Sequence, residues 1–546
     1  LKKPSQPFAD LSRTGLPDLR WRPGRVLAGF FIALCIALLI GALLAALTFA
    51  GRSFATTGST VADIGHLVRM SAIQAGTSTL LSLIVGVVLA WSLDRLRFFG
   101  RGLIVGLLSS ALVLPSLVVV SGLIAIWGRV GWANLVLAPF GISTGASIYG
   151  FWGIVAAHVL LNGAFAARVL LDRLEAIPPE KLKLGRSLGL STVQRFKIID
   201  LPAILSSIPG IGATIFLLCF TSFAIVLVLG GGPANQTLEV AIYEAVRLDF
   251  DLGAAVRLAL VQLVVCAAII IPASTLTPAA NLFGRRSELH WPEGMLVSAV
   301  QTVLLIGLLA CFCAPLLAVL LRGSGTAMAS LFGQASFWQA AGTSLWIGLA
   351  SAAVSLGLAI GLGMARSLQR RNSPARMILG VPVFTYLAVP AVVLSLGFFL
   401  LARFVGVGPA QAAPLVLVIA NALLSLPFVF ATLSPPLEAL AARHTKLIRS
   451  LGLSGLAQWR WVEWPLLGRP MGYAFAVAFV FSLGDLGVIS LFGTSDFSTL
   501  PWLMYRAFGA YRTNDAEAIA AVMLIVAVVA FVVIPRIFEF LTHARD

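Results

Sequence analysis

The chain has 546 residues, of which 59% are hydrophobic and only 11% charged, with a mean hydropathy of +0.98. Soluble domains carry about 25% charged residues, so a soluble enzyme of this length is excluded. The formal net charge of +16, from 38 Lys and Arg against 22 Asp and Glu, suits either a membrane protein or a nucleic-acid binder, and the placement of the charges decides between them.

Twelve apolar runs follow one another along the chain. They lie near 26–50, 70–93, 102–127, 146–167, 205–229, 258–280, 295–321, 338–364, 377–402, 411–433, 471–493 and 518–535. Runs of about 18 or more apolar residues read as membrane helices. Lipid offers the backbone no hydrogen bonds, so each run is expected to be helical. The first is too long for a signal-peptide core and has no small-residue cleavage site after it, so it reads as a retained span. Twelve spans put both termini on one side. That side, with the connections after spans 2, 4, 6, 8 and 10, holds 29 of the Lys and Arg residues, and the other side holds nine. The positive-inside rule makes the richer side cytoplasmic. The basic excess therefore reads as a topology signal, and no nucleic-acid partner is expected. Cys35, Cys219, Cys266, Cys311 and Cys313 all fall inside apolar runs, where packing is the reading and neither a disulfide nor a metal site is expected.

The chain also repeats itself. SLGLS occurs at 187–191 and again at 450–454, an offset of 263 residues. At the same offset Leu174-Glu175-Ala176 matches Leu437-Glu438-Ala439, Pro202 matches Pro465, Ser222 matches Asp485 and Gly230 matches Gly493. The expected organisation is a cytoplasmic tail (1–25) and two fused six-helix halves, 26–286 and 287–546, with cores at about 68–280 and 338–537. Six spans per half is an even number, so the repeats are parallel. The fold class is all-α integral membrane.

The connection after the fourth span of each half, 174–203 and 437–466, is the longest cytoplasmic one. In the first copy Pro178-Pro179 can start a helix. Leu182, Gly185, Leu188 and Gly189 are expected on one small or apolar face, with Lys181, Lys183 and Arg186 beside it. Gly189 is expected to end the helix and Ser191 to cap the next. A basic interfacial helix resting on lipid headgroups is the bland reading. A helix offered to a groove of a cytoplasmic partner is the other, and duplication favours it.

These residues carry a resemblance. Gly189, nine residues, then Ile199-x-Leu201-Pro202, repeated as Gly452, nine residues, Val462-x-Trp464-Pro465, resembles the EAA loop of binding-protein-dependent ABC transporter permeases. The Glu-Ala-Ala signature positions hold Lys183-Leu184-Gly185 and Lys446-Leu447-Ile448, a departure that removes the family's acidic contact there. Glu180 could replace it in the first copy; Arg443 stands at the matching place in the second. The fused format and the stretches 219–251 and 482–516 are similar to the thiamine and thiamine pyrophosphate permeases, with iron(III) permeases as the alternative. The resemblance implies a type I importer-like permease in a bacterial inner membrane. It implies a periplasmic substrate-binding protein, two copies of a cytoplasmic ATPase and a small-molecule substrate. It places ATPase coupling on Lys183, Gly185, Ser187, Leu188, Gly189, Pro202, Lys446, Ser450, Leu451, Gly452 and Pro465. The chain contains no Gly-Lys dipeptide and so no P-loop. It is expected to bind no cofactor, and ATP is expected to be used by the partner.

Ionisable and polar groups inside spans are candidates for a substrate path. Asp485 in SLGDLG stands out, since thiamine carries a positive thiazolium; the alternative is that Asp485 hydrogen-bonds an unwound, Gly-flanked helix. His158 with Asn162, and Asn421 with Ser425, could share an inward face, or could make interhelical hydrogen bonds. Thr221 and Ser222 carry the same two readings. The polar outer connections 231–253 and 494–516 are the natural docking surface for a binding protein. A secondary transporter would lack the paired loops and show more intramembrane carboxylates. A membrane enzyme is disfavoured because no catalytic constellation appears.

Overall fold

A computed structural model describes residues 23–53, 63–111, 114–129, 131–141, 148–276, 291, 294–370 and 373–542. Among these residues every regular element is a helix. The first half contains α1 (Pro23–Ser53), α2 (Ile64–Arg95), α3 (Arg101–Ser110), α4 (Ser116–Trp127), α5 (Trp132–Leu137), α6 (Phe151–Glu175), α7 (Pro179–Ser187), α8 (Thr192–Arg195), α9 (Leu201–Leu205), α10 (Ile208–Phe220), α11 (Ala224–Leu229), α12 (Leu238–Arg247) and α13 (Leu252–Leu276). The second contains α14 (Met295–Gly323), α15 (Thr326–Phe332), α16 (Ala335–Ser367), α17 (Pro374–Ala388), α18 (Ala391–Phe404), α19 (Pro409–Ser450), α20 (Gly455–Gln458), α21 (Trp464–Leu483), α22 (Gly487–Phe492), α23 (Leu500–Gly509) and α24 (Thr513–Thr542).

Each of the twelve apolar runs meets a helix, but four of them are broken. Run 102–127 becomes α3 and α4, 205–229 becomes α10 and α11, 377–402 becomes α17 and α18, and 471–493 becomes α21 and α22. Among the described residues ten helices are long and apolar enough to cross a membrane, and an eleventh span is added if the pair Thr192–Leu205 and Ile208–Phe220, bent by 50°, is one. Pro374–Val383 and Ala391–Phe404 are shorter apolar helices that fall below that length. Proline accounts for two of the breaks. Pro115 and Pro390 stand at the N-caps of α4 and α18 with extended ψ of 123° and 150°. Proline disfavours the helical region for the residue before it.

The halves are built alike. α2 packs along α6, as α16 packs along α19. Serines are buried along both α2 and α16: Ser71, Ser78 and Ser82 on the first, and Ser344, Ser351 and Ser355 on the second. Small residues let membrane helices approach closely. The first helix of each half bridges to the other: α1 lies against α16, α17 and α18 as well as α13 of its own half, and α14 against α2 and α4 as well as α24 of its own half. The outward faces carry Leu27, Phe31, Leu34 and Leu38 on α1 and Val303, Ile306 and Leu317 on α14, as lipid-facing helices require.

Candidate functional site

The residues singled out in the sequence fall in two regions, the repeated loops and the broken spans. In the first loop Pro178 is extended (ψ 132°) and α7 begins on Pro179. Gly189 ends it in the left-handed region (φ +63°), with Leu190 N–H donating to the Gly185 carbonyl at 3.2 Å. Gly452 does the same (φ +62°), with Leu453 N–H donating to Ile448 at 3.1 Å. Glycine is the residue that takes this conformation without strain. Ser191 then caps α8 through a reciprocal pair with Gln194. Ser187 and Ser450 hydroxyls donate to the Leu184 and Leu447 carbonyls at 2.8 and 2.9 Å.

The second loop differs at its entry. α19 runs unbroken from Pro409 to Ser450, so 437–450 is not a connection but the end of the fourth span's helix. Ala441-Ala442 stand where the first copy has Pro178-Pro179, and alanine favours the helix there, although α19 also runs through its own Pro435-Pro436.

The face expected on α7 also divides. Leu182 and Gly185 are buried, and a Cβ at Gly185 would lie 2.9 Å from Ile199 and 3.1 Å from Trp291. Leu188 points outward, because the helix turn places 182 and 185 on the inner side and 184 and 188 on the outer. The outward set is apolar and duplicated. Leu184, Leu188, Val193 and Ile198 are 60–67% exposed, and their counterparts at the same offset, Leu447, Leu451, Leu456 and Trp461, are 52–84% exposed. Lys183 and Lys446 are exposed beside them, and so is Pro202, while Pro465 is half-buried. Pro202 and Pro465 each follow a π-helical turn, 196–200 and 459–463, which accommodates the missing proline N–H.

Acidic side chains anchor the loops. Arg101 pairs with Glu175 at 2.8 Å and Arg376 with Glu438 at 2.5 Å, each tying the loop to the start of a broken span. Asp200 and Glu463 close the two π turns; Asp200 pairs with Arg95 and Glu463 with Arg25, the latter at 2.5 Å. Arg195 donates to the Trp291 carbonyl at 3.1 Å and lies 4.4 Å over its ring. Val193, Ile198 and Asp200, with their counterparts, escaped the sequence reading, their signal being a match of residue type at the 263 offset without identity; Leu184 and Glu175 were seen only as signature position and repeat match, not for the surface and ion pairs they form.

In the broken spans, Asp485 sits half-buried between α21 and α22. Its carboxylate accepts from the Gly487 and Val488 N–H groups, both at 3.1 Å, so the capping reading describes its bonds. Thr221 donates to the Leu217 carbonyl at 2.8 Å, and Thr221 and Ser222 are half-buried in the equivalent break. A Cβ at Gly484 would stand 2.9 Å from Pro115, so breaks from the two halves touch.

The inward face expected for His158, Asn162, Asn421 and Ser425 is not found. All four are at most 5% exposed. His158 Nδ1 lies 2.6 Å from Gln74, Asn162 donates to Cys219 Sγ at 3.3 Å, Asn421 donates to Ser482 at 2.9 Å and Ser425 to Ser355 at 3.1 Å. Each bond stays within one half, so these residues glue helices together.

On the outer side, α12 and α23 meet. Burial, then the Tyr243 phenol beside it, pushes the Tyr505 hydroxyl well above its usual range. Burial and the Asp249 carboxylate raise Glu244, which the Gln236 amide partly offsets.

No family model matches the chain. Among curated proteins it is 38% identical over 477 residues to the thiamine transport system permease protein ThiP of Escherichia coli, covering 86% of this chain and 89% of that one. The chain belongs to the thiamine transport permease family. The family relative from Brucella melitensis is 36% identical over 527 residues, 94% of each chain. The sulfate transport system permease protein CysT of Salmonella typhimurium is 26% identical over 276 residues, which are 98% of that protein but 49% of this chain. The family and the ten apolar helices make the chain a multi-pass membrane permease.

Proposed function

We propose that this chain is the membrane-spanning subunit of an ATP-driven importer in the bacterial inner membrane. It passes thiamine or a thiamine phosphate from a periplasmic binding protein to the cytoplasm. The similarity to ThiP proteins over most of the chain carries this reading. The duplicated apolar loop surface supports two copies of a separate ATPase, one per loop, as the site of hydrolysis. The chain itself binds no cofactor, and both termini are cytoplasmic. The half-length match to CysT supports two fused permease halves.

The geometry suggests how docking drives transport. Movement of each loop pulls on the start of α3 or α17 through Glu175–Arg101 or Glu438–Arg376. These helices lead into the breaks at Pro115 and Pro390, where helices can pivot. Lys183, Gly185, Ser187, Leu188, Gly189, Pro202 and their second-half counterparts shape the docking turns, and Asp485 holds the break beside the seam. Iron(III) as cargo and a secondary transporter are not favoured by these relatives. Competition for uptake tests the cargo. Excess unlabelled thiamine or thiamine pyrophosphate should abolish labelled thiamine uptake, and excess iron(III) should leave it unchanged. Loss of uptake with iron(III) alone would reverse the assignment.

A further inference from the structure

The outer ends of the two halves are joined by an uneven set of bonds. α12 and α23 are counterparts: each begins after a threonine, Thr237 or Thr499. The first N–H of each donates to a serine of its own half, Leu238 to Ser71 at 3.1 Å and Leu500 to Ser344 at 2.8 Å. That register makes Tyr243 the counterpart of Tyr505, and the two face each other where Arg247, one turn on from Tyr243, lies over the Trp502 ring beside Tyr505. Where two related halves meet, a residue that touches its own counterpart lies at the axis between them. In two-repeat transporters the path runs between the repeats. The Tyr243 ring stands 5.3 Å edge-on to Phe223, at the break in the fifth span, and Tyr505 lies 5.6 Å from Trp502. A continuous aromatic layer thus crosses the axis at its outer end.

The bonds that hold this layer come from one side. Arg247 of α12 donates to the Gly493 carbonyl at 2.7 Å and lies 5.5 Å over the Trp502 ring. Gly493 must be glycine for that approach, since a Cβ would sit 2.8 Å from Trp502. Glu239, fully buried, accepts from Gln262 at 3.1 Å and faces the Val392 N–H at the start of α18. In the same register α23 offers Pro501 and Gly509 where α12 has Glu239 and Arg247. Neither has a side chain that could return the bond.

We propose that Tyr243 and Tyr505 close the outer end of the passage and that the first half alone latches it, with Arg247 as the bolt onto the second. This rests on the transport reading above. Opening toward the outside then requires α12 to release Gly493 before α23 can swing away.

The test places cysteines at Tyr243→Cys and Tyr505→Cys in the full chain, reconstituted with its ATPase and binding protein. The pair should cross-link without nucleotide, and oxidation should cut thiamine uptake at least tenfold, with reductant restoring it. Unchanged uptake in protein shown by mass to be cross-linked, or no cross-link without nucleotide, would overturn the closure. Uptake by the unmodified complex, measured alongside, reports separately on the transport reading. For the latch, Arg247→Gln should raise ATP hydrolysis without binding protein several-fold, whereas Arg403→Gln, an exposed arginine on the same side, should not. Equal effects of the two would overturn the latch.

Discussion

Arg25, at the start of α1, lies 2.5 Å from Glu463, whose side chain is 3% exposed and closes the π turn of the second loop. The first helix of one half thus braces the repeated loop of the other. The counterpart acid, Asp200, is held instead by Arg95 at the end of α2 of its own half. Breaking a buried ion pair by removing one partner costs about 3–5 kcal/mol. Arg25 is 21% exposed, which places Arg25→Ala toward the lower end. Thermal unfolding in detergent should show this loss, and adding Glu463→Gln should recover part of it. A double variant less stable than Arg25→Ala would contradict the pairing.

The turns at Gly189 and Gly452 carry positive φ with open space around each. Alanine therefore meets no clash and pays only for the left-handed backbone, about 1–2 kcal/mol per site. Gly189→Ala with Gly452→Ala should leave the membrane core intact and raise the ATP consumed per thiamine imported. Gly189→Pro with Gly452→Pro cannot take this φ at all and should uncouple hydrolysis from transport. Normal uptake in the proline pair would remove these loops from coupling.

Leu188 and Leu451 project from the repeated loops, 67% and 59% exposed. An aspartate at each costs the chain little folding stability, because exposed sites tolerate charge. Leu188→Asp with Leu451→Asp should insert normally and fail to retain the ATPase on affinity purification. Full retention would show that the apolar pairs are not the docking surface.

Asp485 caps the start of α22 with both carboxylate oxygens. Asn keeps one acceptor, so Asp485→Asn should cost less than Asp485→Ala, for which a lost cap gives about 0.5–2 kcal/mol. If the charge also serves the cation, Asp485→Asn should lower uptake more than stability. Parallel losses in uptake assays and melting curves would leave Asp485 a structural cap.

The spans and the repeat were legible because lipid and duplication impose strong patterns. Lipid demands long apolar helices, and the 263 offset aligns the loops residue by residue. The breaks at Pro115 and Pro390 were not legible, because hydropathy runs straight through them, whereas Gly484-Asp485 offered an unwound helix as one of its two readings. The unbroken α19 had a mixed signal, Ala441-Ala442 in place of Pro178-Pro179 but a Pro435-Pro436 pair six residues before. The facing of His158, Asn162, Asn421 and Ser425 had none, since a polar residue in an apolar helix suits a passage or a partner helix equally. Arg25 counted only as tail charge until the fold brought it to Glu463. The Tyr243–Tyr505 pair stayed hidden because the register there slips to 262, so an alignment at 263 sets Tyr243 against Arg506.

Thiamine accumulation in proteoliposomes bears most directly on the whole account. With this chain, its ATPase and internal ATP, and with thiamine-loaded binding protein outside, labelled thiamine should accumulate. Omitting any one component, or substituting Leu188→Asp with Leu451→Asp, should stop it. Accumulation by the chain alone, driven by a proton gradient, would contradict the account.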